Sequence, residues 1–118
     1  MKAKDALGRH GEDLAAEFLQ QSGLRVLDRN WRCREGELDL VVSRDRTVVF
    51  CEVKTRRSTR FGAPVEAVTA TKQRRLRTLA LQWLAAQSRR GDDLRFDVAS
   101  VLFPREGRPV VEVLEGVF

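Results

Sequence analysis

Apolar and polar positions along this chain follow two different periods, and the points where the period changes mark out its elements. Residues 5–22 repeat on the helical period, with Leu7, Leu14, Ala15, Phe18 and Leu19 on one stripe and Gly23 as the stop. Glu12 falls at the edge of that stripe, while Asp13 and Glu17 point away from it. Residues 24–33 read as a strand with Val26 and Leu27 inside. Residues 37–43 and 47–54 are two further strands, close enough in sequence for a tight hairpin on Asp45-Arg46. Their central parts are apolar on both faces, with Leu38, Leu40 and Val42 facing opposite to Val41, as expected of strands held between two layers. A second helix starts at a cap on Thr69 or Thr71 and runs to about residue 88, with Leu76, Leu79, Ala80, Trp83 and Leu84 inward. Lys72 and Gln73 extend that inward stripe toward the helix start, and Arg74, Arg75 and Arg77 face outward. Strands at 95–103 and 109–114 complete the order α-β-β-β-α-β-β, which predicts an α/β domain: a central sheet with a helix on each face.

The hairpin carries the chemistry. With the turn on Asp45-Arg46, Arg44 pairs with Thr47 and Val42 with Val49. Continuing that ladder sets Asp39 opposite Glu52, with Cβ atoms roughly 4.5–5.5 Å apart on one face. Lys54 shares the face of Glu52, because side chains alternate along a strand. Two carboxylates and an ammonium on one patch can hold a hard divalent cation and activate a water beside it. The same three residues also suit a salt-bridge cluster at a sheet end. Carboxylates inside strands that are otherwise apolar weigh against that reading, since a buried charge costs several kcal/mol unless strongly compensated.

Composition narrows the class. With 118 residues, 42% hydrophobic and 33% charged, the chain reads as one globular domain, 1–118, without repeats or low-complexity tracts. The longest apolar run, 79–86, contains Gln82 and is too short to cross a bilayer. No membrane association is expected, and the charged start of the chain does not read as a signal peptide, so a cytoplasmic location is the expectation. Cys33 and Cys51 have no metal-binding spacing and are expected to stay reduced. A net charge of +5 favours a polyanionic partner.

Several stretches together bring a family into view. They are Gly8-Arg9-His10-Gly11-Glu12, Arg29-Asn30-Trp31-Arg32-Cys33-Arg34, Gly36-Glu37-Leu38-Asp39-Leu40 and Glu52-Val53-Lys54-Thr55-Arg56. Phe61-Gly62-Ala63-Pro64, Glu66-Ala67-Val68, Lys72-Gln73-Arg74-Arg75-Leu76 and Arg95-Phe96-Asp97-Val98 follow in order. In these the chain resembles the YraN family, small bacterial proteins similar to archaeal Holliday-junction resolvases of the PD-(D/E)xK nuclease superfamily. The resemblance implies a restriction-endonuclease-like fold, three layers α/β/α around a central mixed sheet. It also implies a nuclease site of Glu12, Asp39, Glu52 and Lys54.

On that reading Asp39 and Glu52 hold Mg²⁺ or Mn²⁺, Glu12 completes the metal shell, and Lys54 orients the attacking water. Lys72 and Gln73 reach the same pocket from the second helix, although a boundary role at the helix start also explains Gln73. Arg32 and Arg34 before the hairpin, and Arg56, Arg57 and Arg60 after Lys54, flank the site and suit phosphate contacts. The expected activity is metal-dependent hydrolysis of phosphodiesters in DNA rather than RNA, branched DNA included. A nucleic-acid-binding accessory protein and an RNA-processing nuclease are the alternatives. Symmetric cutting of a junction implies a homodimer. His10, the one histidine, reads as a surface residue. Trp83 reads as core, and Trp31 as strand packing, with stacking on a base as its alternative.

Overall fold

A computed structural model describes residues 5–57 and 68–118, so Arg60 and the matched stretches at 61–64 and 66–67 lie outside the described residues. The elements are α1 (Ala6–Gln21), β1 (Arg25–Cys33), β2 (Gly36–Arg44), β3 (Thr47–Arg56), α2 (Ala70–Ala86), β4 (Asp93–Leu102) and β5 (Val110–Leu114). The five strands form one sheet in the order β1-β2-β3-β4-β5. Only β3 and β4 run parallel, and α2 makes the crossover between them that parallel strands require. Helix α1 packs on one face with Leu40, Val42, Val49 and Cys51. Helix α2 packs on the other with Val41, Val48, Phe50 and Phe96. The fold is thus α/β with a mixed five-stranded sheet between two helices, the three-layer restriction-endonuclease-like arrangement. Neither helix is long and apolar enough to cross a membrane.

Local chemistry sets the helix ends. Asp5 caps α1 by accepting the Gly8 N–H at 2.7 Å, and Gly23, at φ +94°, turns the chain away after it. Thr69, the first of the two caps expected, accepts the Lys72 N–H at 3.2 Å. The inward face of α2 is the expected one, whereas that of α1 is rotated. Its buried residues are Gly11, Glu12, Ala15, Ala16 and Leu19, while Phe18 is exposed. A line of small residues lets the helix press closest to the sheet there. At Gly11 the approach is so close that an added Cβ would lie 2.1 Å from Thr55 Oγ1. Gly11→Ala is therefore expected to cost about 1–3 kcal/mol by overpacking. Thermal denaturation checks this, and Thr55→Ala in the same chain should recover part of the loss.

The hairpin register is the expected one, Arg44 with Thr47 and Val42 with Val49. Asp45 takes a left-handed φ of +53°, which lets the short turn close. One expectation fails. Leu38 packs with Val41 against α2 and not with Leu40 and Val42 against α1. The cause lies in the neighbouring strand, where Asn30 adopts φ +52°. Arg29 reaches Asp13 on α1, yet Trp31, two residues on, packs with the α2-side core. The β1–β2 pair turns over between Arg29–Leu40 and Trp31–Leu38, and strict alternation is broken on both strands.

Candidate active site in the split sheet

The β2–β3 ladder ends at Leu40–Cys51, one pair short of the Asp39–Glu52 pairing to which its register would continue. Beyond that point β2 stays with β1 as far as Gly36, and β3 stays with β4 as far as Arg56. The two central strands part, and the functional side chains gather in the opening.

Asp39 sits between the parted strands. Its Oδ2 accepts the Val53 N–H at 2.9 Å. A strand's N–H points within the sheet toward the neighbouring strand. The Asp39 carboxylate therefore occupies the gap itself rather than either face. Carboxylate oxygens of Asp39, Glu37 and Glu12 all lie within 4.8 Å of one another. Glu12, expected at the edge of the α1 stripe, is only 3% exposed. Glu37, two residues before Asp39 on β2, joins the trio across the point where the strand's alternation breaks, so the cross-strand pairing of Asp39 with Glu52 does not point to it.

Glu52 is not in that trio. Cys51 and Val53 belong to the α1-side core, so Glu52 and Lys54 face the α2 side. There Glu52 Oε1 meets Lys72 Nζ at 2.9 Å and Lys54 Nζ at 3.4 Å. Burial, then the hydrogen bond and charge of neighbouring Lys72, pull the Lys54 ammonium below its ordinary pKa against the opposing attraction of Glu52. Burial also acts against charge on Lys72, but the bond with Lys54 and the charges of Glu52 and Asp39 hold its pKa above the ordinary value. Asp39 thus belongs to the acidic trio by contact and is felt electrostatically by Lys72. The expected patch of Asp39, Glu52 and Lys54 is in fact two groups on either side of a gap.

The other expected residues are scattered around this centre. Arg32 Nε is paired with Glu37 Oε2 at 2.9 Å, and its side chain remains 43% exposed. Arg34 and Arg57 are exposed, and Arg56 is partly buried at the end of β3. Gln73 donates its side-chain N–H to the Val68 carbonyl at 3.3 Å, a boundary role at the start of α2. Trp83 is core, 2% exposed, with its indole N–H on Asp28 at 2.9 Å. Trp31 packs with the α2-side core, the strand packing expected of it. His10 is exposed and rests on the ring of Phe103.

An all-oxygen donor set suits a hard cation such as Mg²⁺ or Mn²⁺. Three carboxylates brought together, one of them buried, also carry a mutual repulsion that such a cation relieves.

Residues 11–101 match the family described as "Uncharacterised protein family UPF0102". A UPF0102 protein of Nocardia farcinica is 55% identical over 115 residues, covering 98% of this chain and 91% of its own length. One from Frankia casuarinae is 54% identical over 118 residues, the whole of both chains. One from Streptomyces griseus is 50% identical over 121 residues, covering 99% of each.

Proposed function

The chain belongs to the UPF0102 (YraN) family, and from that premise and the geometry of the split sheet we propose that it is a divalent-metal-dependent nuclease hydrolysing phosphodiesters in DNA, branched forms included. The observation that carries this reading is the gathering of Glu12, Glu37 and Asp39 where the β2–β3 ladder ends, with Lys54 and Lys72 on Glu52 across the opening. Glu12, Glu37 and Asp39 would hold Mg²⁺ or Mn²⁺, with Glu52 facing them from the other side. Such an ion supplies charge neutralisation on the phosphate and an acidified water. Lys54 donates from Nζ toward the water and the phosphate oxygens. Lys72 holds Glu52 in place and adds positive potential to the gap. Arg32, Arg34, Arg56 and Arg57 lie around the opening as phosphate contacts, which position a backbone without reading its sequence. Cutting a junction symmetrically takes two such sites, hence two copies of the chain, and β5 at the sheet edge offers the strand for pairing. On this reading the protein would meet cellular DNA in the cytoplasm.

The test is incubation of labelled duplex, junction, flap and RNA substrates with Mg²⁺ or Mn²⁺ and, in parallel, with chelator. Cleavage of DNA that needs the metal is expected, and Lys54→Ala should lower it by about 10²–10³-fold. Binding without cleavage of any substrate would make the protein an accessory nucleic-acid binder. Cleavage confined to RNA would make it an RNA-processing nuclease.

A further inference from the structure

A second feature shares only Arg57 with the nuclease reading. At the carboxyl ends of the parallel strands β3 and β4, a groove of about 440 Å³ is lined by Leu7, Arg57, Phe103, Pro104 and Arg105. Three of these residues are apolar and two are exposed arginines; none of them is acidic. The Phe103 ring is steadied by His10, whose centroid lies 5.1 Å away at 45°. The position is fixed by the backbone, because the Phe103 N–H donates to the Arg56 carbonyl at 2.8 Å and so extends the β3–β4 pairing. Arg56 lies two residues beyond Lys54, roughly 7 Å along the strand at about 3.3 Å per residue. Leu7 and His10 stand on the first turns of α1, just ahead of Glu12.

We propose that this groove binds an unpaired nucleotide of the substrate, its base against Phe103 and Pro104 and its flanking phosphates on Arg57 and Arg105. The proposal rests on the nuclease reading and deepens it by naming what the protein recognises. An apolar, aromatic-bearing surface lined together with two cations matches the two chemistries of a nucleotide, a π-face and its phosphates. The bases of an intact duplex are stacked on one another and cannot enter such a groove, whereas a base at a fork, flap or gap is available. Leu7 precedes Glu12 on α1 and Arg57 follows Lys54 by three residues, so a strand whose unpaired base is held in the groove can pass its adjoining backbone toward the split in the sheet.

The experiment compares a blunt duplex with the same duplex carrying a short single-stranded fork, by fluorescence anisotropy in chelator so that neither is cut. The wild-type chain should bind the fork more tightly. Phe103→Leu keeps apolar bulk but removes the aromatic face, and should weaken fork binding about tenfold, within the range for loss of one stacked base. Its affinity for the blunt duplex should stay within about twofold, because duplex binding rests on phosphate contacts. Arg105→Gln, on an exposed turn where folding is not at stake, should flatten the dependence of log affinity on log salt by about one unit for the fork only. Equal losses on both substrates, or no loss on the fork in either variant, would overturn the groove while leaving the nuclease reading intact. Failure of the wild-type chain to bind either DNA would overturn the nuclease reading and the groove with it.

Discussion

Mn²⁺ at a hundred times its dissociation constant is expected to stabilise the wild-type chain by about 2.7 kcal/mol and to leave Asp39→Asn where it was. The asparagine keeps an oxygen that can accept the Val53 N–H, so the local structure that Asp39 supports survives. It loses the negative charge through which a hard cation is held beside Glu12 and Glu37. In a chain of 118 residues the gain corresponds to roughly 10 °C in thermal midpoint. Thermal denaturation with Mn²⁺ and with chelator, for both proteins, reads the difference directly. Two companion variants separate the ligand sets. Glu37→Gln should weaken the metal effect strongly and Glu52→Gln much less, because Glu52 is already engaged by Lys54 and Lys72. The same shift in Asp39→Asn as in the wild type would place the metal elsewhere. A larger effect from Glu52→Gln than from Glu37→Gln would restore the pair read from the hairpin alone.

At the other end of the sheet, Arg95→Ala is expected to destabilise the fold by about 3 kcal/mol, the lower end of what breaking a buried ion pair costs. Asp97 is fully buried and takes two bonds from Arg95, both at 2.9 Å, with a third from the Gly116 N–H at 3.0 Å. Without the guanidinium, a buried carboxylate keeps one backbone donor. Arg95 is itself 34% exposed, so water can reach the vacated side and moderate the loss. Replacing both partners by apolar residues, Arg95→Met with Asp97→Leu, should cost less than Arg95→Ala alone. Urea titrations should show a lower midpoint at unchanged slope. A cost under about 1 kcal/mol for Arg95→Ala would mean that Asp97 is satisfied without it.

Most of the fold was legible because its signals are local. The turn at Asp45-Arg46 sets the β2–β3 register by counting, and the Thr69 cap and the apolar stripe of α2 are each written within a few residues. What escaped depends on contacts between distant segments. Leu38 changes face because Asn30, on another strand, turns left-handed, and no period within residues 37–43 reports that. The buried face of α1 follows its smallest residues rather than its largest, since Gly11 and Ala15 allow the approach to β3 that Phe18 would block. The candidate site was half legible. Its residue types and both strands were evident, and Lys72 was placed near it, but pairing logic assumed a ladder that continues. Glu37 was hidden behind that assumption, and the burial of Glu12 depends on the same close approach of α1.

The parting of β2 and β3 has a consequence for how the site can be watched. Past Cys51 the β2-facing side of β3 has no strand partner among the described residues, and the Val53 amide donates instead to a side-chain oxygen of Asp39. Its proton is therefore protected from exchange with solvent only while Asp39 points at it. An ion that draws the carboxylate away, or locks it in place, changes the exchange rate of that one amide against a background of paired neighbours. The main chain thus carries its own indicator of site occupancy, readable residue by residue in an unmodified protein and independent of any substrate being cut.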